Sequence, residues 1–148
     1  ATLEKFLNPA NARIMMTSAF HPPYGEKMAT VAERAGFSGA IVVRNGMEGT
    51  IAFPLKRAVK ILCSARQADG TYLRHEFTFD PVSFLGFEVP LEEKMEDPSL
   101  QENVRLIQQY QKDGRTNNEI FDHRVKATRA GIATAITWVE DNIGARRL

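Results

Sequence analysis

The sequence predicts an α/β fold: a mostly parallel sheet carrying an antiparallel hairpin, with helices on both faces. Three observations carry this. A strand–helix–strand unit opens the chain. Two segments of period two follow, on either side of a glycine turn. Long helical periodicity closes it.

Ile14-Met15-Met16-Thr17-Ser18-Ala19-Phe20 is a short apolar run bounded by proline-containing turns, which is the pattern of a buried strand. Pro22-Pro23 forbids helix before it and opens one after it. Met28, Val31 and Ala32 recur at helical spacing, and Gly36 stands where a helix ends, so residues 24–35 are expected to be helical. Ala40-Ile41-Val42-Val43 is a continuous run of the kind found in parallel strands covered on both faces. A loop with two glycines follows, Arg44 to Thr50. In open α/β sheets, ligands sit at the carboxyl ends of strands.

Val59, Ile61 and Cys63 then alternate with Lys60 and Leu62. Leu73, His75, Phe77 and Phe79 alternate beyond the Ala68-Asp69-Gly70 turn, giving a hairpin closed by Asp80-Pro81. Residues 82–97 lack periodicity, contain Glu92, Glu93, Glu96 and Asp97, and are expected to form a surface connection. Ser99 caps a helix that runs past Leu100, Val104 and Ile107 and stops at Gly114. A last helix, from about Asn118 to Ile143, is expected to present Phe121, Val125, Ile132, Ile136, Val139 and Ile143 as an apolar stripe. Gly131 lies inside it, and Trp138 beside the stripe.

The 148 residues form one domain, 1–148, large enough to bury a core unaided. A hydrophobic fraction of 43% and a charged fraction of 25% are globular values and exclude disorder. Net charge is +1, so no global field draws the chain to nucleic acid or an anionic membrane, and a basic site has to be local. One cysteine, no signal pattern and no membrane-length apolar run point to a cytoplasmic protein.

The ordered series Phe20-His21-Pro22-Pro23-Tyr24, Ala35-Gly36-Phe37, Ala40-Ile41-Val42-Val43-Arg44-Asn45-Gly46, Met47-Glu48-Gly49-Thr50 and Phe79-Asp80-Pro81 resembles the α/β half of anthranilate phosphoribosyltransferase. That enzyme belongs to glycosyl transferase family 3, which also holds pyrimidine-nucleoside phosphorylases. The resemblance runs from Asn8 to Gly86 in motif order and from Leu100 to Gly144 in helix order. It implies a nucleoside phosphorylase/phosphoribosyltransferase-like fold and the carboxyl-terminal part of a longer protein. It also implies transfer of a phosphoribosyl group from phosphoribosyl pyrophosphate, with Mg²⁺ as cofactor.

The departures from the family pattern are specific. The family's glycine-rich GTGGD-type loop and KHGN-type segment do not occur; no two of the ten glycines are adjacent. Where the family has an Asp-Glu metal pair, this sequence has Gly46-Met47-Glu48-Gly49, leaving Glu48 as the one carboxylate for a metal. The chain alone is therefore expected to be inactive, with no catalytic residue of its own.

Two readings stand for each candidate residue. Arg44, Asn45, Gly46, Gly49 and Thr50 form a phosphate-binding nest, or the glycines merely supply turn geometry. Glu48 touches a metal or a ribose, or is a solvated loop residue. Lys56, Arg57 and Lys60, with a second basic group of Arg124, Lys126 and Arg129, grip phosphates of a nucleic acid or a sugar, or form solvated faces. His21 caps a helix or fixes a loop, His75 packs, and Asp122 and His123, being adjacent on a helix, do not face each other. Cys63 points inward as a packing residue. The alternatives to the transferase domain are a non-catalytic nucleic-acid-binding relative and a fragment or regulatory module with no ligand. An apolar patch beside Trp138 is expected to drive a homodimer.

Overall fold

The computed structural model describes residues 4–47, 50–89 and 99–145. A short 3₁₀ turn, Glu4–Leu7, leads into strand β1 (Ile14–Ala19), helix α1 (Pro22–Arg34) and strand β2 (Gly39–Arg44). Strands β3 (Val59–Arg66) and β4 (Tyr72–Phe79) follow, then helices α2 (Pro81–Leu85), α3 (Leu100–Asp113) and α4 (Glu119–Asn142). The four strands form one sheet in the order β1-β2-β3-β4.

The sheet is mixed rather than mostly parallel. β1 and β2 are parallel, as the strand–helix–strand unit predicts, while the β2–β3 and β3–β4 ladders are antiparallel. The reason is the connection after β2. It is a loop, not a helix, and without a crossover element the chain returns in the opposite sense. The carboxyl ends of β1 and β2 therefore meet the start of β3 and the end of β4 at one end of the sheet.

Helices cover both faces. α1 packs on β1, β2 and β3, burying Gly25, Ala29 and Ala32. Val31, assigned to the buried face by spacing, is 36% exposed, because the helix turns its small residues to the sheet. Prolines at its first positions start α1, and Gly36, at φ 89°, ends it with an amide bond to the Glu33 carbonyl (3.1 Å). His21 occupies the N-cap position but makes no capping bond; its ring packs edge-on against Phe20.

α4 covers the other face. Its deepest ridge is Ala127, Gly131, Ala135 and Val139, all at four-residue spacing. Larger residues of the expected stripe flank this ridge: Ile132, Ile136 and Ile143, with Trp138 from beside the stripe, pack half-buried against the central cluster of Ile41, Val43, Phe53, Val59, Ile61 and Cys63. Small residues let the helix approach closely. A Cβ on Gly131 would lie 2.3 Å from the Phe53 ring, and one on Gly39 would lie 2.3 Å from Val139. Trp138, half-buried, stacks on the exposed His75 of β4 at 5.4 Å.

β4 is held to α1 by charge. The Arg74 guanidinium donates in fork geometry to both Glu33 oxygens (2.8 and 2.9 Å), to Glu26 (2.7 Å) and to Thr30 (2.9 Å), and the Ser64 hydroxyl donates to Glu33 (2.6 Å).

In the expected surface connection, Asp80 caps the short α2 through the Val82 amide (3.1 Å), while residues 90–98 lie outside the described residues. Ser99 caps α3 by accepting from the Glu102 amide (3.2 Å), and Gly114 ends it at φ 69°. Among the described residues no helix is long and apolar enough to cross a membrane.

Candidate functional site

The loop from Asn45 to Ala58 spans the carboxyl end of the parallel pair and folds down onto α4. Its anchors are specific. Asn45, at φ 47°, lets its side chain bridge to β3, accepting from the Lys60 amide (3.0 Å) and donating to the Ala58 carbonyl (3.2 Å). The buried Gly46 offers its carbonyl to the Arg57 guanidinium (3.0 Å). The Met47 amide donates to the Ala52 carbonyl (3.0 Å), and the Thr50 hydroxyl accepts from the Ala52 amide (3.1 Å). The Phe53 amide donates to the Thr128 hydroxyl of α4 (3.0 Å), and the Phe53 ring drops into the core.

Between this loop and α4 lies an open cavity of about 240 Å³. Ile51, Ala52, Phe121 and Val125 supply its apolar lining; Thr50, Thr128, Arg124 and Arg129 are its polar members. The helical residues share one face because Phe121, Val125 and Arg129 follow at four-residue spacing, as do Arg124 and Thr128. Both threonine hydroxyls use an acceptor lone pair within the fold and keep their O–H as a donor.

The expected phosphate-loop residues are divided by the fold. Arg44 turns to the α1 face, where it pairs with Glu76, approaches Glu26 (3.8 Å) and donates to the Pro22 carbonyl (3.1 Å). Asn45 and Gly46 are spent on turn geometry, Thr50 reaches the cavity, and Glu48 and Gly49 lie outside the described residues. Of Lys56, Arg57 and Lys60, Arg57 donates to the Gly46 carbonyl, and Lys60 stands opposite Arg44 in the sheet. The second basic group is divided too, Arg124 and Arg129 lining the cavity. Sequence reasoning missed Phe121, Val125 and Thr128 as lining residues. The signal was their helical spacing with the two arginines; what was invisible was that the 50–53 segment docks there.

Cys63 is buried, as its place in the alternation predicts. His75 is exposed rather than in the core, its ring stacking with Phe77 and Trp138, and His123 meets Phe87 edge-on. Asp122 accepts from the amide and hydroxyl of Thr116, both at 2.8 Å, rather than pairing with His123. Burial pushes the Cys63 thiol up to about 12. Among the described residues no three His, Cys, Asp or Glu side chains gather to hold a metal. Glu26 and Glu76, the carboxylates near Arg44, are committed to arginines. Glu48, the carboxylate that the family resemblance implies for Mg²⁺, lies outside the described residues.

The sequence matches no family model. Over 124 residues, 82% of this chain, it is 30% identical to an uncharacterized protein of Aquifex aeolicus (strain VF5). The chain spans 35% of that relative's length.

Proposed function

We propose that this chain is the α/β part of a protein related to the phosphoribosyltransferases of glycosyl transferase family 3, and that it binds a phosphorylated ligand where the β2–β3 loop meets α4. The observation that carries the reading is the cavity placing Thr50, Thr128, Arg124 and Arg129 around an apolar lining beside the carboxyl end of the parallel pair. Phosphate oxygens accept strong charge-assisted bonds from guanidinium groups and further bonds from the threonine hydroxyls. The motif series shared with anthranilate phosphoribosyltransferase supplies the substrate class, phosphoribosyl pyrophosphate. The relative's greater length is compatible with acceptor and pyrophosphate elements that this chain does not contain.

Calorimetric titration with phosphoribosyl pyrophosphate tests the reading. Arg129→Ala removes an exposed guanidinium at the rim and is expected to weaken binding about tenfold, with an unchanged melting temperature. Arg44→Ala is expected to leave binding intact, because that side chain is paired on the α1 face. Absence of binding by the wild-type chain, or a silent Arg129→Ala, refutes the site. Titration with single- and double-stranded DNA distinguishes the nucleic-acid reading. There, charge reversal at Lys56, Arg57 and Lys60 weakens binding, and affinity falls steeply with salt.

A further inference from the structure

The outer face of α4 carries charges that find no partner within the chain. Lys126, Ala133 and Glu140 follow at seven-residue spacing, with Ala130 and Thr137 between them, so the five share one face of the helix. All but Ala130 are exposed, as are Arg129 and Asp141 beside them. The ridge that packs on the sheet, Ala127, Gly131, Ala135 and Val139, lies on the other side of the helix. Along the outer face the signs are segregated: Lys126 and Arg129 stand at one end, Glu140 and Asp141 at the other. No residue of opposite charge stands three or four positions from Arg129, Glu140 or Asp141, so the helix itself offers them no partner. Among the described residues, neither these three nor Lys126 make an ion pair. Lys126 and Glu140 are about 21 Å apart along the helix, too far to neutralise each other. Glu140 and Asp141 also stand in the last turn, where the carbonyl end of a helix disfavours negative charge, and no basic residue accompanies them there. Beside this face runs an open groove of about 490 Å³, lined by Ala133, Thr134, Thr137, Trp138 and Asp141.

We propose that this face binds a second copy of the chain: α4 packs on α4 of the copy, antiparallel, about a two-fold axis at Ala133. Charge complementarity selects this occupant. The axis brings Lys126 of each chain level with Glu140 of the other, while Ala133 meets its own copy. Asp141 of the second copy falls level with Val125, next to Lys126, and Arg129 lies one turn from the same acidic end. Four charges that have no partner in one chain thus face opposite charges in the pair. A parallel pair would set Lys126 on Lys126 and Glu140 on Glu140, and like charges in contact oppose association. The antiparallel pair also lays the carbonyl end of each helix, with its carboxylates, along the basic half of the other. Seven-residue spacing keeps the matched positions facing the partner along the whole contact. Of these residues only Arg129 lines the phosphate cavity, and the proposal does not rest on that reading. The exposed stripe of α3, Leu100, Val104 and Ile107, is a different surface and carries no charge pattern that names a partner.

Sedimentation equilibrium from low to high micromolar chain, at low and at high salt, tests the proposal. The wild type is expected to dimerise, and more weakly at high salt, because the matched charges are exposed. Lys126→Glu and Glu140→Lys each set like charges against each other at both ends of the pair. Each is expected to raise the dissociation constant at least about tenfold. The double variant Lys126→Glu/Glu140→Lys exchanges the signs and restores the match, so it is expected to return to within about threefold of the wild type. That recovery also separates charge matching from damage to the fold, since a poorly folded single variant is not repaired by a second surface change. Val104→Lys, on α3, is expected to leave the dimer unchanged. A monomer throughout the range overturns the proposal, as do single charge reversals that leave the dimer intact. A double variant that fails to recover overturns it too. A dimer lost in Val104→Lys places the interface on α3 and likewise overturns it.

Discussion

Gly131 sits in the interior of a 24-residue helix, where helix propensity alone favours alanine by about 0.8–1.0 kcal/mol. The structure argues the opposite sign. A methyl group on Gly131 would lie 2.3 Å from Cε2 and 2.7 Å from Cζ of Phe53, and 3.2 Å from Cγ of Phe79. Phe53 is fully buried and its ring is 5.4 Å from that of Phe79, so it cannot swing aside into solvent. Overfilling a packed core costs about 1–3 kcal/mol, which outweighs the propensity gain. Gly131→Ala is therefore expected to destabilise by about 1 kcal/mol, lowering the melting temperature by about 2–4 °C in a chain of this size. Urea unfolding is the direct assay: the midpoint should fall with the slope unchanged. A second variant isolates the cause. In a Phe53→Leu background, where the ring is gone, the same Gly131→Ala change should be neutral or stabilising, and the two substitutions should be strongly non-additive. Stabilisation of the wild type by Gly131→Ala, or simple additivity, refutes the close-approach argument. Because the amide of Phe53 is bound by Thr128, displacement of the ring is also expected to disturb the 50–53 segment and weaken phosphoribosyl pyrophosphate binding.

Other expectations concern the ion network, the thiol and the reaction. Burial pushes the Glu33 carboxyl up, but the hydrogen bonds from Arg74 and Ser64 and the charge of Arg74 outweigh it and hold the group below its ordinary 4.5. A depressed carboxylate stabilises the fold above its unfolded value and loses that contribution as pH falls through the folded one. Glu33→Gln is therefore expected to cost about 1–2 kcal/mol near neutrality, and the gap in urea midpoint should close as the pH is taken below 4.5. A gap that stays constant would show that the charge is immaterial. Cys63, buried and held at about 12, should resist a thiol-specific reagent in the native chain and react fully in denaturant. Rapid native labelling would contradict its placement. With phosphoribosyl pyrophosphate, anthranilate and Mg²⁺, this chain alone should release no pyrophosphate, because the GTGGD-type and KHGN-type elements are not in it. Release above the no-protein control would contradict that account.

What the sequence determined by itself was local. Short apolar, β-branched and period-two runs located β1, β2 and the β3–β4 hairpin, prolines and Ser99 marked helix starts, and Gly36 and Gly114 marked helix ends, because these signals depend on a few neighbouring residues. The tertiary structure alone decided sheet direction, since antiparallel return after β2 follows from how a fourteen-residue loop, 45–58, docks rather than from the strands it joins. It also decided the buried ridge of α4: an apolar count overlooks alanine and glycine, yet it is their smallness that admits the Phe53 ring. The same division runs through the site. Arg44 belonged to the candidate loop by sequence, but Glu76, thirty-two residues away, draws it to the other face. Arg124, Thr128 and Arg129 lie far along the chain from Thr50 and meet it because Phe53 needs a hole in the core and Gly131 leaves one. Pairings across such distances depend on shape and charge at sites that no local pattern connects.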